Sequence, residues 1–313
     1  MVGFNPDQTT PLASTQYAIA GAVSGAITRA VCQPFDVLKI RFQLQIDPIL
    51  KCDVSKYWGI RHAFKSILQE EGWKAFWKGH VPAQGLSVVY GIAQYTSFEV
   101  FTQLVWEHLP EHMTREYRPL THLFCGSLAG CVATLAVQPM DVMRTRFVAQ
   151  GEPKMYMSLG DAVVSIWRQD GVVGFYRGLV PAVTQVAPQM GLQFGLYSLC
   201  NSIRNATKSN DSVLPAVLPS LACGSASGLL AKLIIYPLDV VKKRLQVQGF
   251  EKAREPFGTF HQYKGFIDCI VKVLAAEGAL GLYKGLVPSL IKAAVVAGLN
   301  FCVYDQVVYI MSR

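Results

Sequence analysis

The chain consists of six long apolar segments separated by shorter polar ones. The six segments are residues 17–43, 82–108, 120–148, 181–203, 215–247 and 288–311. Residues 81–98 and 178–203 contain no Asp, Glu, Lys or Arg. A helix of about 20 apolar residues crosses a bilayer, and only helices or closed barrels satisfy the backbone in lipid. The pattern therefore predicts an all-α membrane protein with six transmembrane helices.

The six segments form three repeats, because the same two motifs recur in each successive pair of segments. The first motif reads PFDVLKIR, PMDVMRTR and PLDVVKKR and begins at Pro34, Pro139 and Pro237. The second reads EGWKAFWKG, DGVVGFYRG and EGALGLYKG and ends at Gly79, Gly178 and Gly285. Recurring units of similar length indicate an internally repeated fold. We place pseudo-threefold repeats at about residues 14–112, 117–208 and 215–313 of a single domain, residues 1–313.

Polar or amphipathic segments connect the two apolar segments of each repeat. YWGIRHAFKSILQEEG, YMSLGDAVVSIWRQDG and YKGFIDCIVKVLAAEG carry apolar residues at helical spacing, which predicts a short helix at the membrane surface. Residues 46–56 and 249–262 are predicted to be polar loops. GAVSG, GSLAG and GSASG place two glycines four apart in each repeat, and such pairs let helices approach closely. We therefore expect a shared packing face there.

Each first motif places an acid and a base three residues apart, just beyond its proline. The proline removes a backbone donor and bends the helix, and positions three apart share one helix face. The charged residues are Asp36 and Lys39, Asp141 and Arg144, and Asp239 and Lys242. Three such helices around a pseudo-threefold axis would bring these charges into one ring that closes an end of a central cavity. Exposed ion pairs contribute only about 0–1 kcal/mol each, so such a ring could open as a gate. In the alternative interpretation, the charges only anchor helix ends at lipid headgroups.

The composition fits a membrane protein and gives no support to several other classes. Charged residues make up 16% of the chain, against about 25% in a soluble domain. The net charge of +8 fits basic loops on one face or a pathway for anions. Nucleic-acid binding is disfavoured, because the basic residues flank apolar segments at fixed positions. The eight cysteines include no C-x-x-C pair, and no nucleophile lies beside a base, so we expect no metal site, no cofactor and no enzyme activity. The first residues lack a signal-peptide pattern, so we expect internal targeting.

Three basic residues embedded in apolar sequence are the candidates for ligand binding. Arg29 lies five residues before Pro34, Lys232 lies five before Pro237, and Lys292 interrupts the last segment. Burying a charge there costs ~2.5–3.5 kcal/mol. No carboxylate in the same segments lies at a depth to pair with them, so an anionic ligand is the expected partner. An alternative is that Arg29 or Lys232 extends to a membrane interface. A proton relay is disfavoured, because no Asp, Glu or His lies at that depth.

Further polar residues narrow the ligand class. The residues expected to add hydrogen bonds or ring stacking are Ser87, Tyr90, Gln94, Gln189 and Asn300. Three cations, several amides and a tyrosine suit a small organic phosphate that has an aromatic part. A simple dicarboxylate needs fewer polar groups, and inorganic phosphate does not need the amides.

The two motifs together resemble the mitochondrial carrier family over essentially the whole chain. The resemblance implies a six-helix bundle in the mitochondrial inner membrane that works by alternating access. It implies that the ring is the matrix-side network, with Asp36 paired to Arg144, Asp141 to Lys242, and Asp239 to Lys39. Gln43 and Gln246 match the family's bracing glutamines, whereas Val148 replaces the third. The family's pattern also places Leu86, Gln185 and Lys292, seven residues after each second-motif glycine, in the substrate site.

The chain departs from the family at the opposite, cytoplasmic end. The pattern [FY]-[DE]-x-x-[KR] is replaced there by Phe98-Glu99 with Thr102, Tyr197-Ser198 with Asn201, and Tyr304-Asp305 with Val308. No base remains, so we expect no strong ionic gate on this side. Transport without strict exchange is a hypothesis that follows from this departure.

Five stretches, which include loop sequence that the general motifs do not dictate, resemble the branch of the family that carries thiamine diphosphate. They are FQLQ, FWKGHVPAQ, RTRFVAQGEPK, KKRLQVQGFEKAREPFG and AEGALGLYKGLVPSLIKAA. The resemblance implies import of thiamine diphosphate into the matrix in exchange for nucleotides, as transported substrate rather than cofactor. Its diphosphate would meet Arg29, Lys232 and Lys292, and its rings could stack on Tyr90. The alternatives are a carrier of nucleotides, deoxynucleotides or coenzyme A, and a membrane scaffold that does not transport. The expected partners are this substrate and the lipid bilayer; we expect no nucleic acid as partner, and we expect a monomer.

Overall fold

The apolar segments and the segments between them form helices in the computed structural model of the protein. It describes residues 14–49, 55–108, 118–207, 217–257 and 260–311, which contain no strand. In chain order the helices are α1 Ser14–Leu44, α2 Ile60–Glu71, α3 His80–His108, α4 Arg118–Ala149, α5 Leu159–Phe175, α6 Leu179–Thr184, α7 Val186–Thr207, α8 Val217–Gln246, α9 Phe266–Glu277 and α10 Leu286–Met311. Repeat 1 comprises α1–α3, repeat 2 comprises α4–α7, and repeat 3 comprises α8–α10. The predicted repeat boundaries near residues 109–117 and 208–216 lie outside the described residues.

The long helices close into a bundle in which each repeat packs against the next. The most extensive contacts join α3 to α4, α7 to α8, and α10 to α1, so the last helix of each repeat lies against the first helix of the following one. The first helices α1, α4 and α8 also contact one another. Their motif prolines lie inside these helices; the bend that Pro34, Pro139 and Pro237 should produce stays a prediction.

Several helices of the bundle are long and apolar enough to cross a membrane. Among the described residues, three stretches meet that standard by length and hydropathy: Thr121–Ala149, Cys223–Gln246 and Ala279–Val308. The helices α1, α3 and α6–α7 occupy the corresponding places in the three repeats. Large apolar side chains on α3, such as Val88, Ile92 and Tyr95, are more than 60% exposed, as expected for a face that meets lipid. The fold class is therefore an all-α membrane protein built from three repeats.

The short helices α2, α5 and α9 confirm the three predicted amphipathic helices. In repeat 1, Ile67 of α2 is 1% exposed and packs in one cluster with Phe42 of α1 and Tyr57. Tyr156 and Tyr263 hold the corresponding buried positions in the other repeats. The apolar faces of these helices are thus covered mainly by their own repeat, and residues of repeat 3 join the clusters of repeats 1 and 2.

The prediction of a purely polar loop at residues 249–262 was wrong. Residues Lys252–Phe257 form a 3₁₀ helix, and Phe250, Ala253 and Phe257 are at most 8% exposed. Three apolar side chains at spacings of three and four residues form a buried face. The high density of charged residues in this segment hid that pattern.

The glycine pairs do not mark one shared packing face. A Cβ built on Gly21, Gly25, Gly224 or Gly228 would meet nothing within 4 Å, whereas one on Gly130 would lie 2.6 Å from Val186. Small residues permit close helix contact, but they do not enforce it. The expected close approach is therefore found only at Gly130.

The contact between α7 and α8 can be tested by cross-linking. The Sγ atoms of Cys200 on α7 and Cys223 on α8 lie 2.8 Å apart, and a disulfide needs about 2.05 Å with little backbone movement. We expect a copper–phenanthroline catalyst with oxygen to link this pair, detected as one cross-linked peptide by mass spectrometry. Cys223→Ser should remove that peptide; recovery of only other cysteine pairs from the wild-type protein would contradict the packing.

Candidate functional site

Three ion pairs join α1, α4 and α8 at one end of the bundle, and we call them the ion-pair ring. The pairs are Asp36 with Arg144 at 2.6 Å, Asp141 with Lys242 at 2.8 Å, and Asp239 with Lys39 at 2.5 Å between carboxylate oxygen and side-chain nitrogen. Each acid pairs with the base of another repeat, so the pairs run round the bundle in a closed cycle. These are the three pairings that the family resemblance implies, whereas the use of the ring as a gate stays a prediction.

Glutamines brace two of the three pairs. Gln43 donates from Nε2 to Asp239 at 3.3 Å, and Gln246 donates from Nε2 to Asp141 at 2.8 Å. Val148, which holds the equivalent position on α4, is fully buried and offers no side-chain donor. The pair between repeats 1 and 2 therefore lacks the brace that the other two have, as the sequence indicated.

A further lysine, which the sequence analysis did not assign, joins the ring. Lys243 donates from Nζ to Asp141 at 2.9 Å, to Thr145 Oγ1 at 3.0 Å and to Gln246 Oε1 at 3.0 Å. The sequence feature that could have revealed this lysine is the third motif, PLDVVKKR, because it has a lysine where the other repeats have Ile40 and Thr145. The Asp141 carboxylate thus forms ion pairs with two lysines and accepts a hydrogen bond from one glutamine.

The expectation that no carboxylate pairs with Lys292 was wrong. Its Nζ lies 2.7 Å from Oδ1 of Asp36, whose other oxygen binds Arg144. The partner comes from α1, on the other side of a repeat boundary, and reasoning within a single segment could not find it. The Lys292 side chain is still 29% exposed, so a ligand can reach it.

The glycine that ends each second motif sets the beginning of the next helix against the ring. Gly79, Gly178 and Gly285 have φ angles of 74°, 74° and 81°, which favour glycine. A Cβ on Gly285 would stand 2.7 Å from the carbonyl oxygen of Lys39, and one on Gly178 would stand 2.9 Å from that of Lys242. The second motif therefore lets the backbone of one repeat touch the ring base of another.

The last base of each first motif lies in a second layer behind the ring. The ion pairs of this layer are Arg41 with Glu71, Arg146 with Asp170, and Arg244 with Glu277. Each arginine also donates from Nε to a backbone carbonyl of another repeat, at Val148, Gln246 and Gln43 respectively. The sequence analysis did not assign these arginines. Because they follow the ring base by two positions, they are rotated by about 200° around the helix and cannot face the ring.

The second layer should make the protein sensitive to acid. Burial alone would raise the pKa of Glu71, but hydrogen bonds and charges from Arg41 and Lys78 hold that pKa below its ordinary value. Arg244 and Lys284 act in the same way on the pKa of Glu277. A depressed folded pKa stabilises the protein above the ordinary pKa of about 4.3, and this stability is lost as the pH falls below it.

We therefore expect the melting temperature of the purified protein to fall as the pH drops below about 4.3. The double variant Glu71→Gln/Glu277→Gln should melt at a lower temperature at neutral pH and show a flatter acid response. An equally steep acid response in the double variant would assign the effect to other groups.

A cavity next to the ring brings several predicted ligand residues together. Its volume is about 200 Å³, and its lining includes Leu86, Tyr90, Thr134, Gln185, Gln189, Asp141, Arg144 and Lys242. Two bases, two amides and a tyrosine hydroxyl thus converge on one space beside apolar side chains, as is typical of small-molecule sites. The buried Oε1 of Gln185 has no hydrogen-bond partner among the described residues, so it is available to a ligand donor.

The other two candidate cations face backbone groups inside the bundle. Arg29 donates to the carbonyl of Ala83 at 2.6 Å, and Lys232 donates to the carbonyl of Ser289 at 3.1 Å. Both carbonyls lie four residues after a second-motif glycine, so the two contacts are equivalent in repeats 1 and 3. Both side chains are half-buried, and these inward contacts do not support extension of Arg29 or Lys232 to a membrane interface.

The remaining predicted ligand residues lie outside the cavity lining. Ser87 donates to the carbonyl of Ala83 at 3.4 Å, Gln94 is half-buried, and the exposed Asn300 accepts from Ser24 through its backbone carbonyl. Their roles stay predictions.

The opposite end of the bundle differs from the ring end. Glu99 is exposed and forms no ion pair among the described residues, and Thr102 donates to the carbonyl of Phe98 in its own helix. Tyr197, Ser198, Asn201, Tyr304 and Val308 likewise form no ionic contact there; the side chain of Asp305 lies outside the described part of the chain. The described part of this end therefore contains no counterpart of the ion-pair ring.

Comparisons with known proteins give one consistent result. The family model described as mitochondrial carrier protein matches residues 10–109, 115–207 and 215–313. A mitochondrial thiamine pyrophosphate carrier of Homo sapiens is 49% identical over 97% of this chain and 95% of its own length. A protein of the same description from Bos taurus is 48% identical over 97% and 96%. Mitochondrial thiamine diphosphate carrier 1 of Arabidopsis thaliana is 38% identical over 92% and 91%.

Proposed function

Because this chain belongs to the mitochondrial carrier family, we propose that it imports thiamine diphosphate into the mitochondrial matrix. Membership makes it a multi-pass protein of the mitochondrial inner membrane and a transporter rather than an enzyme. The relatives support the choice of substrate, since the similar proteins named above are described as carriers of thiamine pyrophosphate or thiamine diphosphate.

The observation that carries the substrate class is the cavity beside the ring. It presents Arg144 and Lys242 to an anion, and Tyr90, Gln185 and Gln189 to polar or aromatic groups. A diphosphate that carries two heterocyclic rings has both kinds of group. Because the thiazolium ring is itself positive, the site needs only a moderate surplus of bases.

Arg29, Lys232 and Lys292 are not part of the cavity lining, but they extend the basic region beside the ring. Lys232 lies within electrostatic range of Lys39, Asp239 and Lys292, and Arg29 lies within range of Arg144. We assign the diphosphate to these cations and the rings to Tyr90. The surplus of bases over acids in this region favours a ligand with more than one negative charge.

The ion-pair ring is the proposed matrix gate. With its three pairs formed, α1, α4 and α8 are held together and the cavity is closed at that end. An anion near Arg144 and Lys242 competes with Asp36 and Asp141 for the same bases, and this competition would lower the cost of opening the ring. Alternating access then requires the opposite end to close while the ring is open.

Exchange against nucleotides is the proposed transport mode, although the opposite end contains no base at its three motif positions. A carrier that has no ion pairs between its helices at one end closes more weakly at that end. The efflux of labelled substrate from loaded liposomes, measured with and without external substrate, distinguishes strict exchange from transport without exchange. Strict exchange requires that efflux stops when no external substrate is present.

Uptake into liposomes tests the substrate. We expect purified protein to take up labelled thiamine diphosphate with saturation, and an excess of unlabelled thiamine diphosphate to suppress the signal more than nucleotides, deoxynucleotides or coenzyme A. Protein-free liposomes give the background. Stronger suppression by one of the competing phosphates would assign the carrier to that substrate, and no uptake of any organic phosphate would favour a scaffold.

A further inference from the structure

One segment of repeat 3 reaches both other repeats at the ring end of the bundle. Residues 249–257, which we call the strap, follow α8 directly and include the 3₁₀ helix Lys252–Phe257. They belong to the longest of the three connections between a first helix and its surface helix. They lie in the stretch KKRLQVQGFEKAREPFG, which begins in the first motif and continues into loop sequence that the general motifs do not dictate.

The beginning of the strap is anchored on repeat 2. The ring of Phe250 stacks on Tyr156, with centroids 4.8 Å apart and an interplanar angle of 21°. The guanidinium carbon of Arg146 lies 5.7 Å from the centroid of Phe250. The amide of Gly151 donates to the carbonyl of Ala253 at 3.2 Å, and Ala253 itself packs in the core cluster of repeat 2.

The end of the strap is anchored on repeat 1. Phe257 is 8% exposed and packs in the core cluster that contains Phe42 and Tyr57. The guanidinium carbon of Arg41 lies 5.2 Å from the centroid of Phe257. Arg254 donates from Nη2 to the carbonyl of Leu44, the last residue of α1, at 2.8 Å.

The two anchors repeat one interaction. Phe250 covers the buried arginine of repeat 2, and Phe257, seven residues later, covers the buried arginine of repeat 1. The cost of burying Arg254 is visible as well, because burial lowers its pKa to about 10. The hydrogen bond to the carbonyl of Leu44 holds the Arg254 guanidinium in this buried position.

We propose that the strap is a clasp that holds repeats 1 and 2 together across the ring end. The pair between these two repeats, Asp36 with Arg144, is the one whose glutamine brace is replaced by Val148. The clasp therefore reinforces the interface whose ion pair has no glutamine brace, and it adds to the contact of Lys292 with Asp36. Opening of the ring requires the strap to release one of its two anchors, either Phe257 on repeat 1 or Phe250 on repeat 2. This last step rests on the proposed function, whereas the clasp itself does not.

Amide hydrogen exchange tests the clasp without any substrate. The purified protein in lipid nanodiscs is compared with Phe250→Ala, Phe257→Ala and the double variant, and exchange is followed in peptides covering residues 36–45 and 141–150. A clasp fails when either anchor is lost. Each single variant should therefore raise exchange in both peptides by about tenfold, and the double variant should exchange no faster than the singles.

Phe266→Ala is the matched control, because Phe266 packs in a cluster formed by repeat 3 alone. It should leave both peptides at the wild-type rate. Independent, additive effects of the two anchor variants would overturn the clasp, as would acceleration confined to the repeat that each phenylalanine touches. If Phe257→Ala does not fold, Phe257→Leu keeps the apolar contact, loses the ring over Arg41 and should give the same pattern at smaller amplitude.

The transport assay separates this proposal from the proposed function. If each anchor variant accelerates amide hydrogen exchange in both peptides but thiamine diphosphate is not taken up, the clasp stands and the substrate assignment fails. If uptake is normal and both anchor variants exchange at wild-type rates, the substrate assignment stands and the clasp fails.

Discussion

Replacing Arg146 by methionine should destabilise the protein severely. The side chain is completely buried and forms an ion pair with Asp170 at 3.0 Å. It also donates to the carbonyls of Gln246 at 3.3 Å and Gln248 at 3.0 Å. Arg177 still binds Asp170 at 2.6 Å, so the substitution does not leave that carboxylate unpaired. The expected cost is the loss of the hydrogen bonds from Arg146, which contribute about 1.5–3 kcal/mol each because the donor is charged. We expect the melting temperature in detergent to fall by roughly 5–15 °C.

Arg168→Met is the control for this prediction. Arg168 lies exposed on α5 of the same repeat, and exposed substitutions usually change stability by less than about 0.5 kcal/mol. Equal melting temperatures for the Arg146 and Arg168 variants would show that the second layer is not needed for folding. A loss of transport without a loss of stability would instead assign Arg146 to the transport cycle.

The repeated pattern made much of this architecture predictable from the sequence. Two motifs at constant offsets located the helices and the surface helices, and a spacing of three placed the acid and base of each motif on one face. The family resemblance then supplied which base meets which acid. Residues such as Gln43 and Val148 could be assigned a role because each has a counterpart at the same offset in another repeat.

The contacts between repeats were harder to predict from the sequence, for a physical reason. Sequence periodicity gives the face of a helix, but not its rotation and height relative to a helix a hundred residues away. Lys292 was therefore assigned to the ligand alone, although it also reaches Asp36. The strap was missed because its three buried apolar residues occur once, in repeat 3 only, so no repetition marked them.

The second layer is the intermediate case, since helical geometry already places its arginines. Arg41 follows Lys39 by two residues, and two residues rotate a helix by about 200°. An arginine on the side away from the ring faces the surface helix of its own repeat, so its acidic partner comes from that repeat. Glu71, at the end of α2, was the available acid. Tyr57, the first of the repeated tyrosines, lies beside this ion pair and accepts a hydrogen bond from Arg41.

Replacing Lys292 by glutamine should have the largest effect on transport. We expect thiamine diphosphate to bind about 10- to 100-fold more weakly, since a hydrogen bond to a charged group contributes about 1.5–3 kcal/mol. Stability should change little, because Asp36 keeps Arg144 at 2.6 Å and Lys292 is the more exposed of its two partners. Binding is measured as the ligand-induced rise in melting temperature, and transport as uptake into liposomes.

The two measurements together separate the two roles of Lys292. If Lys292 only contacts Asp36, its replacement would leave the ligand-induced rise in melting temperature unchanged. If Lys292 binds the substrate, its replacement would reduce that rise at the same ligand concentration. Lys272→Gln is the matched control, because Lys272 pairs with Asp268 on the surface of α9 and contacts neither the ring nor the cavity. It should bind and transport as the wild type does. Wild-type binding by Lys292→Gln would remove this lysine from the proposed substrate site and leave it as a partner of Asp36 alone.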